Sequence, residues 1–314
     1  MQIDRRSLMS LASAAAATPA LAQASDPTEV VKLWPGRPPG APAVLPLTKI
    51  TDRVATTGWQ DRYATDIGEP LMTVFRPARP NGAAALIAPG GGYIRVVIDK
   101  EGFEVARRLA EAGITSFVLR YRLPREGWAD ASDVPLQDAQ RAIRLIRASG
   151  YKRVLALGGS AGGHVAASLA IGYARPLYAQ VDAADAHPAR PDLSALLYPV
   201  IDMAKPYAHT GSREALLGPS PTPQAEAKYS PHRQVTADAP PTFLVHAADD
   251  PSVPVENALN YLAALRAARV PAEAHIFEEG GHGFGIRLAQ GKPAAAWPDL
   301  LVSWLGRRGF LTAA

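Results

Sequence analysis

A serine between glycines, a pair of aspartates and a histidine between glycines follow one another along the 314 residues. Ser160 lies in Gly158-Gly159-Ser160-Ala161-Gly162, after the apolar run 154–157 and before an Ala-rich helical pattern that opens at His164. This Gly-x-Ser-x-Gly spacing suits a sharp strand-to-helix turn, where strained backbone exposes a hydroxyl and only residues without bulk fit beside it. Glycine and serine also gather in ordinary turns, so the pentapeptide needs partners to mean catalysis. A serine hydroxyl is a weak nucleophile at neutral pH and requires a base within hydrogen-bond reach. Of the seven histidines, His282 is the best placed, because Gly280-Gly281-His282-Gly283-Phe284 presents the imidazole from a flexible turn. His164, on the helix after the serine, reads as a packing residue. The base in turn needs a carboxylate to fix its tautomer and stabilise the imidazolium. Asp249 and Asp250 both qualify by position, and whichever does not serve is free to cap the following loop or helix. The amide of Ala161 and those of Gly90-Gly91-Gly92 are candidate donors to a developing oxyanion. A phosphate cradle is the weaker reading of those glycines, since neither Gly-x-Gly-x-x-Gly nor a P-loop Lys-Ser/Thr is present. The chemistry implied is acyl transfer through a serine.

The elements that must hold these groups follow from periodicity. Short apolar runs at 83–88, 115–121, 154–157, 193–200, 242–247 and 274–277 read as buried strands, preceded by β-like segments at 49–56 and 71–77. Amphipathic stretches at 101–112, 136–149, 255–268 and 294–307 read as helices. Such alternation forces crossovers and hence a mainly parallel sheet covered on both faces, an α/β fold. Ligands bind outside the carboxyl ends of strands in such sheets. Ser160, the glycine run, the aspartate pair and His282 all follow strands, which places them on one edge.

With 47% hydrophobic and 20% charged residues the chain can bury a sizeable core. A net charge of +4 without a Lys/Arg block argues against nucleic acid as a partner. The absence of cysteine excludes disulfides and thiolate catalysis, no histidine pair has zinc-ligand spacing, and no cofactor or metal is implied. Residues 1–24 have the parts of an export signal: Arg5-Arg6, an apolar stretch from Leu8 to Ala22, and small residues suited to cleavage. The paired arginines resemble a bacterial twin-arginine signal, which implies a periplasmic or secreted product without stable membrane insertion. Residues 25–46, dense in proline and glycine, form an extended arm. A hydrolase domain of 47–314 follows, and its Pro-rich insertion at about 201–239 is expected to form a small lid or rim.

Ala88-Pro89-Gly90-Gly91-Gly92-Tyr93, Val118-Leu119-Arg120-Tyr121-Arg122-Leu123-Pro124, Asp138-Ala139-Gln140-Arg141-Ala142, Gly159-Ser160-Ala161-Gly162-Gly163-His164, Tyr198-Pro199-Val200 and the His282 turn together resemble the esterase/lipase branch of the α/β-hydrolases. Nearly the whole mature chain is covered, and the likeness is greatest to secreted bacterial esterases grouped with acetylxylan esterases. The resemblance implies a Ser160, Asp250, His282 triad in the Ser…Asp…His order of that fold. It selects Asp250 because the acid stands three residues before the Val of a Val-Pro pair, here Val253-Pro254. It also implies an oxyanion hole from the amides of Gly91, Gly92 and Ala161. Two departures separate the chain from hormone-sensitive-lipase-type esterases: Pro89 stands where those have His, and 25–46 cannot form their helical cap. The implied function is hydrolysis of acetyl or other short acyl esters on carbohydrate such as acetylated xylan. A prolyl-oligopeptidase-like peptidase and a non-catalytic carbohydrate-binding module are the alternatives. Tyr93, after the glycines, and Trp128, in the loop 122–135, are the candidate substrate contacts, with Trp128 equally able to be a buried plug.

Overall fold

Short Leu-, Val- and Ala-rich runs between glycine and proline turns become strands, and the longer amphipathic stretches become the helices that cover them. The structure is a computed structural model in which residues 26–312 are described; the export-signal segment 1–24 lies outside the described residues. The chain opens with β1 (Val30–Lys32), β2 (Lys49–Asp52), a single turn α1 (Val54–Thr57), β3 (Arg62–Thr65), β4 (Leu71–Phe75), β5 (Ala83–Ala88) and β6 (Val96–Val97). A π-helical turn, Asp99–Phe103, leads into α2 (Glu104–Glu111), β7 (Thr115–Arg120), α3 (Val134–Ala148), β8 (Arg153–Gly159) and α4 (Ser160–Gly172). Next come β9 (Leu193–Leu197), α5 (Thr210–Leu217), α6 (Pro223–Lys228), β10 (Thr242–Ala247), α7 (Glu256–Ala267), β11 (Ala272–Phe277) and α8 (Trp297–Arg307).

The main sheet runs β1-β4-β7-β5-β8-β9-β10-β11. Its pairings from β7 to β11 are parallel, while β4 joins β7, and β1 joins β4, antiparallel. The strand period of two divides each strand between two cores. Ala84 and Leu86 of β5 and Val154 and Ala156 of β8 face the core under α3, α4 and α7. Ala85, Ile87, Leu155 and Leu157 face the opposite core, sealed by Val105 and Leu109 of α2 and by Trp297, Leu301 and Trp304 of α8.

A second sheet, β2-β3-β6, was not expected from the sequence. β2 lies within the β-like segment read at 49–56, whose end instead turns into α1; the strands are two to four residues long and all four residues of β2 are exposed, so no apolar pattern marked β3 and β6 as its partners. The helix read at 101–112 begins in the wider π turn. There two buried carboxylates find partners: Asp99 accepts from the Arg62 guanidinium and Glu101 Oε2 accepts the Gly90 N–H at 2.9 Å. The arm adds β1 to the sheet edge. It is pinned where Trp34 Nε1 donates to Asp138 Oδ1 at 2.9 Å and where Leu33 O and Pro39 O accept from Arg141 and Arg122. The insertion contains α5 and α6, and Met203, Ala215 and Leu216 seat it in the core beside α4.

Candidate active site

At the end of β8, Gly159 is still extended, and the next residue, Ser160, turns to φ 53 as the first residue of α4. A left-handed serine costs about 1–3 kcal/mol and persists only where its surroundings hold it. The hold is close packing. A Cβ on Gly162 would lie 2.0 Å from the Ala88 carbonyl oxygen, and one on Gly158 would lie 2.1 Å from that of Gly162. Only glycine allows strand, turn and helix to approach so closely.

Ser160 Oγ lies 2.8 Å from His282 Nε2, and His282 Nδ1 lies 2.7 Å from Asp250 Oδ2. Asp250 is acceptor-only, so Nδ1–H donates to it and Nε2 is left to accept the Ser160 hydroxyl proton. Asp250 Oδ1 accepts the amides of Ser252 and Val253 at 2.8 and 2.9 Å. Burial pushes the Asp250 carboxyl up. Hydrogen bonds from His246, His282 and the Val253 amide outweigh burial and hold it well below the usual carboxylate range. Asp249 plays a different part. Its Oδ1 accepts the amides of Gly280 and Gly281 at 2.9 and 2.8 Å, fastening the β10 loop to the turn that carries His282. Tyr198 packs edge-on against the His282 ring, with ring centroids 5.3 Å apart.

Gly91, Gly92 and Tyr93 have φ of 130, 65 and 62, and Gly91 O accepts the Ile94 and Arg95 amides. Gly91 and Gly92 line a cleft of about 250 Å³ together with Ser160 and His282. Ala161 is in the first turn of α4, where backbone N–H groups have no partner within the helix.

Neither candidate substrate contact reaches this cleft. Tyr93 is buried, and its hydroxyl meets His164 Nδ1 at 2.6 Å while His164 Nε2 donates to Tyr229 O at 2.7 Å. That chain ties the glycine loop to α4 and to the insertion, so the positive φ of Tyr93 turns its ring inward. Burial pushes the His164 imidazole down to about 4, in keeping with the packing role expected of it. Trp128 is 4% exposed and stacks on Arg122, whose guanidinium lies 4.7 Å from the ring centroid. It is buried beside the arm, where the neighbouring Ala129 amide donates to Gly40 O and Arg122 to Pro39 O.

Three contributors were not singled out by the sequence pattern. His246, fully buried on β10, places Nε2 3.2 Å from Asp250 Oδ2 and 3.0 Å from Val253 O, so the acid receives two imidazoles. Its spacing of four residues from Asp250 was visible, but the side it faces was not. Glu101 lies beneath the serine, its Oε2 close to Gly90 and Gly159. His209 lines the cleft and caps α5 by accepting the Ser212 amide on Nδ1, which leaves Nε2 to carry its proton. Burial and repulsion from His282 push its imidazole down, against an opposing pull from Asp250.

A parallel sheet with a strand–serine–helix elbow, and an acid and a histidine supplied from the next strand ends, is the architecture of an α/β-hydrolase. Within that class, residues 122–308 match the prolyl oligopeptidase family, and the chain belongs to it. It is 32% identical to the acetyl ester-xyloside bifunctional hydrolase of Caldicellulosiruptor lactoaceticus, whose crystal structure superimposes with a TM-score of 0.70 over 91% of this chain and 98% of that one. It is also 35% identical over 212 residues to endo-1,4-beta-xylanase B of Butyrivibrio fibrisolvens, and 32% identical over 232 residues to the acetylxylan esterase of Xylanibacter ruminicola. These matches take in 64% and 71% of this chain, which spans 32% and 45% of the two relatives' lengths.

Proposed function

We propose that the protein is a serine carboxylester hydrolase that removes acetyl or other short acyl groups from carbohydrate such as acetylated xylan. The observation that carries this reading is the Asp250–His282–Ser160 relay, with contacts of 2.7 and 2.8 Å, opening on a glycine-lined cleft. The names of the xylan-directed relatives support the substrate class. Ser160 Oγ attacks the ester carbonyl as its proton passes to His282 Nε2. The oxyanion is met by the amides of Gly91, Gly92 and Ala161. Collapse expels the alcohol, which takes the proton from His282, and leaves an acyl-serine. Water then gives its proton to His282, attacks the acyl carbonyl and releases the acid as Ser160 regains its proton. Asp250 stays ionised throughout and stabilises each imidazolium. The paired arginines of the N-terminus support export of this activity from the cytoplasm, which fractionation of cells carrying the full chain tests.

The purified protein is expected to release acetate from acetylated xylan and to cleave short-chain aryl esters, and Ser160→Ala to abolish both. Family membership gives a peptidase reading its own test: faster cleavage of prolyl anilides than of esters would replace the esterase assignment. Polysaccharide binding without either hydrolysis would make the protein a binding module.

A further inference from the structure

The cleft that holds Ser160 and His282 also gathers more positive charge than its own carboxylates neutralise. Arg53, Arg95 and Lys100 line it, together with His209. Arg53 is held by an ion pair with Asp61 at 2.7 Å and lies 5.5 Å from the Tyr63 ring centroid. Arg95 stacks near the same ring, at 5.3 Å, and makes no ion pair among the described residues; nor does Lys100. Elsewhere the fully buried arginines are matched to acids, Arg122 to Asp138 and Arg141 to Asp185, and the partly buried Arg62 pairs with Asp99. The one carboxylate that lines the cleft, Glu101, is buried and accepts the Gly90 amide.

These cations stand on both sides of the reacting groups. The Arg95 side chain runs against the glycine loop, its Cγ 2.9 Å from where a Cβ of Gly91 would lie. Lys100 Nζ is 3.2 Å from the corresponding point on Gly283, the residue after His282. Lys100 belongs to the π turn, and Arg95 stands directly before β6, its amide donating to Gly91 O. A carbonyl placed at Ser160 would have an ammonium and a guanidinium within the same small cleft, where partial exclusion of water strengthens charge pairing.

We propose that the cleft selects esters that carry a carboxylate near the scissile bond, with Arg95 and Lys100 as its recognition residues. The proposal rests on Ser160 and His282 being the reacting groups. The carboxylate has two available positions: on the alcohol side, as in an acetylated oligosaccharide bearing a uronic acid, or on the acyl side, as in a dicarboxylic half-ester.

Two matched pairs test this in the purified protein: acetylated xylo-oligosaccharides of equal length with and without a uronic acid, and 4-nitrophenyl butyrate against mono-4-nitrophenyl succinate. The carboxylated member of at least one pair should have kcat/KM about fivefold or more above its neutral counterpart, mainly through KM. The pair that responds identifies the side on which the carboxylate sits. The ratio should fall toward unity at about 1 M salt, where the screening length is about 3 Å. It should collapse in the Arg95→Gln, Lys100→Gln double variant and be retained in Arg95→Lys. Because each ratio compares two substrates on one preparation, loss of folded protein cannot imitate the effect. Equal or poorer turnover of both carboxylated substrates, or a preference insensitive to salt and to the double substitution, overturns the proposal and leaves the esterase reading standing. Failure to hydrolyse any of the four substrates overturns both.

Discussion

At the scale of single residues, the site depends on which of two adjacent aspartates faces which partner. Asp250 meets His282 Nδ1, whereas Asp249 holds the backbone of the turn that bears it. Asp250→Asn offers an amide whose NH₂ cannot accept from Nδ1–H, and kcat should fall about 10⁴-fold through loss of the right tautomer. Asp249→Asn keeps one carbonyl oxygen for the Gly280 and Gly281 amides and should cost about tenfold or less. Comparing kcat of the two variants on an aryl acetate checks the assignment, and the opposite order would exchange the two roles. Gly162→Ala is expected to give little folded protein, because its Cβ would lie 2.0 Å from a main-chain oxygen that cannot swing away; soluble yield and circular dichroism report it. Ser160, His282 and the aspartate pair were legible in the sequence because glycine spacing and chain order restrict them. His246 was not, since its contact with Asp250 depends on how β10 and the following loop turn.

At the scale of elements, the N-terminal arm is bound to α3 through a buried polar cluster. Arg122 and Asp138 are both fully buried, with Nη2 and Oδ1 2.8 Å apart, and Trp34 donates to the same carboxylate. Removing one partner of such a pair leaves an uncompensated buried charge, so Asp138→Asn should lower unfolding stability by about 3–5 kcal/mol. Urea denaturation measures this, and a change below about 1 kcal/mol would show that the cluster is dispensable. The same cluster explains the fate of Trp128. An indole in a loop after a strand looks available to a sugar, but Arg122 of the same loop stacks on it and is itself fixed by Asp138 of α3 and the Pro39 carbonyl of the arm. Tyr93 is the parallel case: the sequence places it beside the glycine loop, and only its backbone angle and His164 turn it into the core.

At the scale of the whole molecule, acid should loosen the fold through groups that burial keeps from taking protons. The His164 imidazole, ordinarily near 6.5, is pushed down to about 4 by burial. Between those values the unfolded chain binds a proton that the folded chain refuses, so stability falls as pH drops from about 6.5 to 4, by up to about 3 kcal/mol. His209 and His232 are pushed in the same direction, chiefly by burial, and Asp250 adds a further loss below the usual carboxylate range. Unfolding free energies across this window should slope accordingly, and His164→Gln should flatten the slope by nearly one proton. A slope unchanged in that variant would remove His164 as its source. The α/β class, the two-sided core and the edge on which the chemistry lies were set by local pattern, because strand and helix periods and glycine spacing are properties of neighbouring residues. The β2-β3-β6 sheet, the double imidazole on Asp250, the inward turn of Tyr93 and Trp128 and the cationic lining of the cleft join residues that local sequence does not pair. Their partners are chosen by packing across space, which no local pattern encodes.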